Sequence, residues 1–166
     1  MSARPVVLVD TNVIIEAVRT GTWAAITGQL PIESVEVCRD ESLAGAERAS
    51  LNYVIVTPAD LARLRALHSV PPVVQAALKL AYPQADVLDA GEHDLLAHAC
   101  NSMSADLQVC SPDKAAIRAA VALGLGDQLV SLEDLLDRVG ARPQPRLRVQ
   151  FTTGWLSSFR TKVRLE

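Results

Sequence analysis

Along the chain, short apolar runs alternate with segments whose apolar positions recur at helical spacing. Val6 to Val9 is an unbroken, mostly β-branched run, the pattern of a strand covered on both faces, and it stops at Asp10. Thr11-Asn12 then opens a helical pattern over Val13 to Val18, and Trp23 to Ile26 extends it or begins another. Pro31 to Gly45 reads as the next helix, starting near Ser34 as N-cap and closing at Gly45 as the C′ glycine. Tyr53 to Val56 reads as a second short strand. Thr57-Pro58-Ala59-Asp60 has the form of a capping box with Pro at the first helical position, and a helix is expected from there to about Leu67.

Past Pro71-Pro72 the pattern predicts a helix over Val73 to Leu80 and another over Glu92 to Met103, with Leu95, Leu96, Ala99 and Met103 on its apolar side. Leu107 to Cys110 reads as a third strand and Pro112 to Leu123 as a helix begun by Ser111 or Pro112. Gln128 to Val130 reads as a fourth strand, and Ser131 to Asp134 as a capping box leading to Val139. Strands alternating with helices predict an α/β fold: a three-layer α/β/α sandwich with a mostly parallel central sheet.

Residues 140–166 break this rhythm. Arg142-Pro143-Gln144-Pro145 resembles a linker, followed by a short strand (Arg146 to Phe151) and a helix (Trp155 to Val163). The expected organisation is a main domain over 1–141 and a basic aromatic appendage over 142–166. The main domain holds 10 Lys/Arg against 18 Asp/Glu, the appendage 6 against 1, so a net −8 body carries a net +5 tail.

At 166 residues, 49% hydrophobic and 21% charged, the chain can bury an ordinary core and is too apolar for disorder. No apolar run reaches the roughly 20 residues a membrane helix needs, and no export signal is visible, so the expectation is a cytoplasmic protein with no membrane partner. Cys38, Cys100 and Cys110, an odd number in apolar surroundings, fit reduced core thiols.

Acids recur where chemistry is done in such folds, at the carboxyl ends of the strands. Asp10 ends the first strand, Asp113 follows the third in Ser111-Pro112-Asp113, Glu92 and Asp94 open a helix, and Glu41 lies late in the second helix. Acids in a first turn also serve the helix dipole, but Asp10 follows four apolar residues directly, where a buried carboxylate needs counter-charge or donors. Converging carboxylates raise one another's pKa unless a divalent cation supplies charge, and oxygen donors suit Mg²⁺ or Mn²⁺. Such a metal lowers the pKa of a bound water and steadies a leaving oxygen, which is nuclease chemistry.

Four segments together, Val-Leu-Val-Asp10-Thr11-Asn12-Val-Ile-Ile, the acidic helix with Glu41, Gly91-Glu92-His93-Asp94-Leu95-Leu96-Ala97-His98-Ala99 and Val109-Cys110-Ser111-Pro112-Asp113-Lys114, resemble the PIN-domain family over about residues 5–140. The resemblance implies a flavodoxin-like arrangement of the parallel sheet, Mg²⁺- or Mn²⁺-dependent endoribonuclease activity on RNA, and frequent occurrence as the toxin of a toxin–antitoxin pair. It matches Asp10 to the first acid with Thr11 and Asn12 beside it, and Asp113 to the last with Ser111 as helper. Glu41 is the preferred second acid, with Glu36 as alternative. For the third, both Glu92 and Asp94 stand: alignment on Ala97-x-Ala99 prefers Glu92, Asp94 is the family's usual residue type, and, since two positions apart on a helix they point about 200° from one another, both can serve only if the helix begins between them. The Gly-Glu of the third element and the basic tail depart from the commonest toxin pattern. The partners implied are an RNA substrate and an antitoxin protein; a homodimer is a further option.

Three of six aromatics, Phe151, Trp155 and Phe159, lie in the tail with its arginines, which makes Arg146, Arg148, Arg160 and Lys162 candidate RNA contacts. The alternative is that the aromatics pack on the body or on a second subunit. His93, His98 and Cys100 do not share a helical face as zinc ligands would, and neither a Gly-x-Ser-x-Gly elbow nor a P-loop is present. The competing functions are a degenerate PIN-like binding module for a partner protein or RNA, and a phosphoacceptor receiver; the latter wants two adjacent acids after the first strand, where Thr11-Asn12 follows Asp10.

Overall fold

The computed structural model describes residues 3–44, 54–102 and 104–166. Strand β1 (Val7–Val9) sits inside a four-stranded parallel sheet with β2 (Ile32–Val35), β3 (Ala66–His68) and β4 (Gln108–Cys110), in the order β3-β2-β1-β4. The sheet is a doubly wound one whose strand order is 3-2-1-4 rather than the 2-1-3-4-5 of flavodoxin, so the winding reverses between β1 and β4. In sheets of this kind such a reversal is where a crevice opens outside the carboxyl ends of the strands, and Asp10 and Ser111 lie at that point.

Period-two alternation distributes the core. Val7 and Val9 face one layer, with Ile14, Trp23, Ile26, Ile32, Leu132 and Leu135. Leu8 faces the other, with Val35, Leu95, Leu96, Val109, Ile117 and Leu156. The first layer is supplied by α1 (Thr11–Arg19), α2 (Trp23–Gln29), α4 (Pro58–Leu61) and α8 (Leu132–Val139). The second is supplied by α3 (Glu36–Ala44), α5 (Pro72–Ala81), α6 (Ala90–Asn101), α7 (Lys114–Ala122) and α9 (Thr153–Arg164). The expected three-layer α/β/α sandwich is therefore what the chain forms. None of these helices is long and apolar enough to cross a membrane.

Several elements differ from the sequence reading. The helix expected over Pro31 to Gly45 is a strand followed by a helix. Glu33, which argues against a buried strand, is accommodated because His68 Nε2 lies 2.7 Å and Arg65 Nε 3.5 Å from its carboxylate. Ser34 caps nothing; its hydroxyl donates to Val9 O at 2.7 Å and ties β2 to β1. Gly45 and Tyr53 lie outside the described residues, and Val54 to Val56 forms no strand, though Val56 is buried. The Thr57 capping box forms as expected, but α4 is one turn long and the chain then enters β3. Gln128 to Val130 adds a single parallel bridge, Val109 to Leu129, instead of a strand. The strand expected over Arg146 to Phe151 is a 3₁₀ turn over Val149–Phe151.

The tail packs onto the body. Phe151 belongs to the β1–α1–α8 core layer, Leu156 and Phe159 to the other, and Trp155 stacks on Phe159 at 5.5 Å. Cys38 and Cys110 are buried as expected; Cys100 is exposed.

Candidate active site

Three helices begin around this point, and each carries a candidate acid at its cap or in its first turn. Asp10 is the N-cap of α1: its Oδ1 accepts from Val13 N at 2.9 Å, while Ser111 Oγ donates to Oδ2 at 2.5 Å. Asp113 caps α7, accepting from Ala115 N at 2.7 Å and Ala116 N at 3.0 Å. The expected cap, Ser111 or Pro112, lies just before it, and the Ser111 hydroxyl accepts from Asp113 N at 3.3 Å. Glu92 is the third residue of α6 and accepts from Asp89 N at 3.2 Å. Helix N-termini bring positive partial charge to one place, which is why acids gather there at tolerable cost.

These carboxyls are not electrostatically balanced. Asp10 is 2% exposed, and burial, with Asp113 adding like charge, pushes its carboxyl up to about 6 against the bonds from Ser111 and Val13. Burial, then Asp113, then Asp10 push Glu92 up to about 8. Among the described residues, Asp10, Glu41, Glu92 and Asp113 have no ion pair with any Lys, Arg or His.

Glu41 is held at the same end by neutral donors. Thr11 Oγ1 donates to its Oε2 at 2.8 Å and Gly91 N to its Oε1 at 2.9 Å, so it bridges the first turns of α1 and α6. A Cβ on Gly91 would lie 2.9 Å from both Glu41 oxygens, so the approach needs glycine there. Glu36, the alternative second acid, is exposed at the start of α3. Asn12 is exposed.

Glu92 and Asp94 separate. Glu92 feels Asp10 and Asp113, whereas Asp94 faces away, accepting from Gln75 Nε2 at 2.8 Å in a different cavity. α6 begins at Ala90, ahead of both acids, so the helical twist divides them. Gln75 carried no signal beyond being the one uncharged polar residue of α5.

Of the tail cations, Arg148 is taken up by Glu16, with its N–H 3.0 Å and its Nε 3.8 Å from that carboxylate. Arg160 donates to the carbonyls of Gly126 and Leu129 at 3.2 and 3.3 Å. Arg146 and Lys162 are exposed and make no ion pair among the described residues. Gln150, Phe151 and Leu156 meet Ser111 and Pro112 around a small cavity, so the tail flanks the crevice.

As they stand, no three His, Cys, Asp or Glu groups among the described residues are close enough together to hold a metal ion. Comparison of the chain with protein-family models, curated proteins and solved structures yields no match.

Proposed function

We propose that this protein is a PIN-like, Mg²⁺- or Mn²⁺-dependent endoribonuclease acting at the crevice between β1 and β4. The observation that carries this reading is Asp10, a buried carboxylate at the point where the sheet's winding reverses, with Glu92 and Asp113 bearing on it and no cation of the described chain to balance them. Asp10, Glu92 and Asp113 would hold the metal, with Glu41 at the margin; all-oxygen donors of this kind suit a hard divalent ion. A metal bound there supplies a water of lowered pKa and charge opposite the leaving oxygen of a phosphodiester.

The chain's own residues do the rest. Ser111 and Val13 fix one rotamer of Asp10, and Thr11 and Gly91 fix Glu41, so these two carboxylates are each oriented, and a metal would have to draw the acids together to complete its ligand set. The N-termini of α1, α6 and α7 turn positive partial charge toward the crevice, which favours a phosphate group there. Arg146 and Lys162 are left to meet a polyanion, while the net −8 body disfavours one elsewhere.

A specific observation favours a second reading, a binding module without catalysis: the absence among the described residues of a pre-assembled three-ligand group. Calorimetric titration of Mn²⁺ into the metal-free protein, with cleavage of a labelled single-stranded RNA alongside, separates the two. The nuclease reading expects wild type to bind Mn²⁺ and to cleave, and Asp10→Asn to lose about 100-fold in both. If wild type neither binds Mn²⁺ nor cleaves, the binding module replaces the nuclease.

A further inference from the structure

On the other side of α6 from Glu92 lies a cavity of about 510 Å³ walled by α3, α5, the first turns of α6 and the 3₁₀ turn over Ala85–Val87. Its polar wall is Asp94, Gln75 and His93, with Lys79 and Asp86 also lining it. Asp94 is more than nine-tenths buried, its side chain 8% exposed. One of its oxygens, Oδ1, takes the Gln75 amide N–H₂ at 2.8 Å and has His93 Nδ1 at 3.5 Å. The other, Oδ2, has no donor among the described residues.

The hydrogen-bond inventory of this wall is lopsided. Gln75 gives one of its two amide N–H groups to Asp94 and keeps its carbonyl Oε1 as an acceptor. Asp94 Oδ2 is an acceptor carrying charge. His93 Nε2 is buried without a partner. Lys79, also on the lining, is 60% exposed and leans to Asp86 at 3.9 Å; no Lys or Arg among the described residues pairs with Asp94, whose ion-pairing neighbour, His93 Nδ1, lies 3.5 Å from Oδ1 and leaves Oδ2 open. A buried carboxylate oxygen beside an amide oxygen, with no Lys or Arg on either, is matched by a group that brings positive charge and several N–H donors in one plane.

We propose that this cavity is a binding site for a guanidinium group, held in a fork by Asp94 Oδ2 and Gln75 Oε1. The site is separate from the Asp10 crevice and does not depend on what that crevice does. The guanidinium could be that of a free arginine-like small molecule or an arginine side chain on a peptide; the recognising chemistry is the same.

The test titrates the wild-type protein with Nα-acetyl-arginine methylamide and with its neutral isostere, Nα-acetyl-citrulline methylamide. Binding is followed by ¹H–¹⁵N NMR on the Gln75 side-chain amide. The arginine probe is expected to shift that amide saturably and to bind at least tenfold more tightly than the citrulline probe. Asp94→Asn, isosteric and checked by circular dichroism, is expected to lose that preference. A short peptide with one central arginine, run in parallel, distinguishes the sources: tighter binding than the single residue assigns the site to a protein partner, and equal binding to a small molecule. Absence of a saturable shift at Gln75, equal affinity for the two probes, or an undiminished preference in folded Asp94→Asn would overturn the proposal.

Discussion

Asp10 and Glu16 stand six residues apart at the two ends of one turn and a half of α1, both buried, at 2% and 1% exposure, yet the fold treats them oppositely. Burial alone would raise the Glu16 carboxyl, but bonds from Arg19 (2.9 Å to Oε2) and from Arg148 N (3.0 Å to Oε1), with the charge of both arginines, hold it below the usual carboxylate range. Asp10 receives a hydroxyl and a backbone N–H and no cation, and is pushed up to about 6. The chain can bring an arginine 132 positions along the sequence to neutralise a buried acid. At Asp10 it supplies none from the described residues, and the position is left with a deficit that a ligand can fill. The neutralised acid and the candidate site acid differ here in the partner, not in the burial.

The largest break of this contrast is at the structural acid. Glu16→Gln should destabilise the metal-free protein by about 3 kcal/mol, because it strands Arg19 and weakens the anchor of Arg148, through which the tail joins α1. Urea denaturation measures it. A loss within about 0.5 kcal/mol, as for a surface change, would mean that the Glu16 network is ornamental and the comparison void.

The candidate acid, Asp10, should show the opposite sign. The folded Asp10 carboxyl, at about 6, lies above its ordinary 3.8, so the favourable contribution of folding is fully present below pH 3.8 and is lost as pH rises through 6. Glu92, raised from 4.5 to about 8, extends that loss to higher pH. Metal-free wild type should therefore fall in stability relative to Asp10→Asn, which is neutral at every pH, between about pH 4 and 6. The gap should reach the order of 2 kcal/mol by pH 8. Urea midpoints of both proteins across pH 4–8 give the answer, and parallel profiles would remove the charge deficit at Asp10.

How much of this could be read from the sequence follows the same division. The β1 run into Asp10, the Ser111-Pro112-Asp113 element, the Thr57 capping box and the α/β class were legible, because each is a local pattern with its own signal; Ser131 caps α8 as expected, but Asp134 turns to Arg138 instead of closing a box. β2 and β3 were not, because their signals are tertiary. Glu33 looks wrong for a strand until His68 and Arg65 are beside it, and Ala66-Leu67-His68 is a three-residue strand that fits a helix equally well. The choice between Glu92 and Asp94 turned on where α6 begins, a boundary that sequence patterns place poorly. The tail's arginines read as free until Glu16 and the carbonyls of Gly126 and Leu129 took two of them. Partners distant in sequence were what the pattern could not supply.

Glu41 gives the finest test, because like Asp10 it is held by neutral donors alone, and one of them is the N–H of a glycine. In Gly91→Ala the new Cβ falls 2.9 Å from both Glu41 oxygens and 3.1 Å from Cys38 Sγ, so the carboxylate must swing off the Gly91 N–H. The far end of a flexible side chain can move cheaply, and alanine favours a helix over glycine by up to about 1 kcal/mol, so the two effects offset. Stability should change by less than about 1 kcal/mol. If Glu41 is a donor at the crevice, Mn²⁺ affinity should nevertheless fall about tenfold, since the carboxylate has lost the bond that aims it. Affinity lost at constant stability places Glu41 with Asp10 among acids kept for a ligand. Affinity kept, in a protein whose wild type binds Mn²⁺, places it with Glu16 as a fastener between α1, α3 and α6.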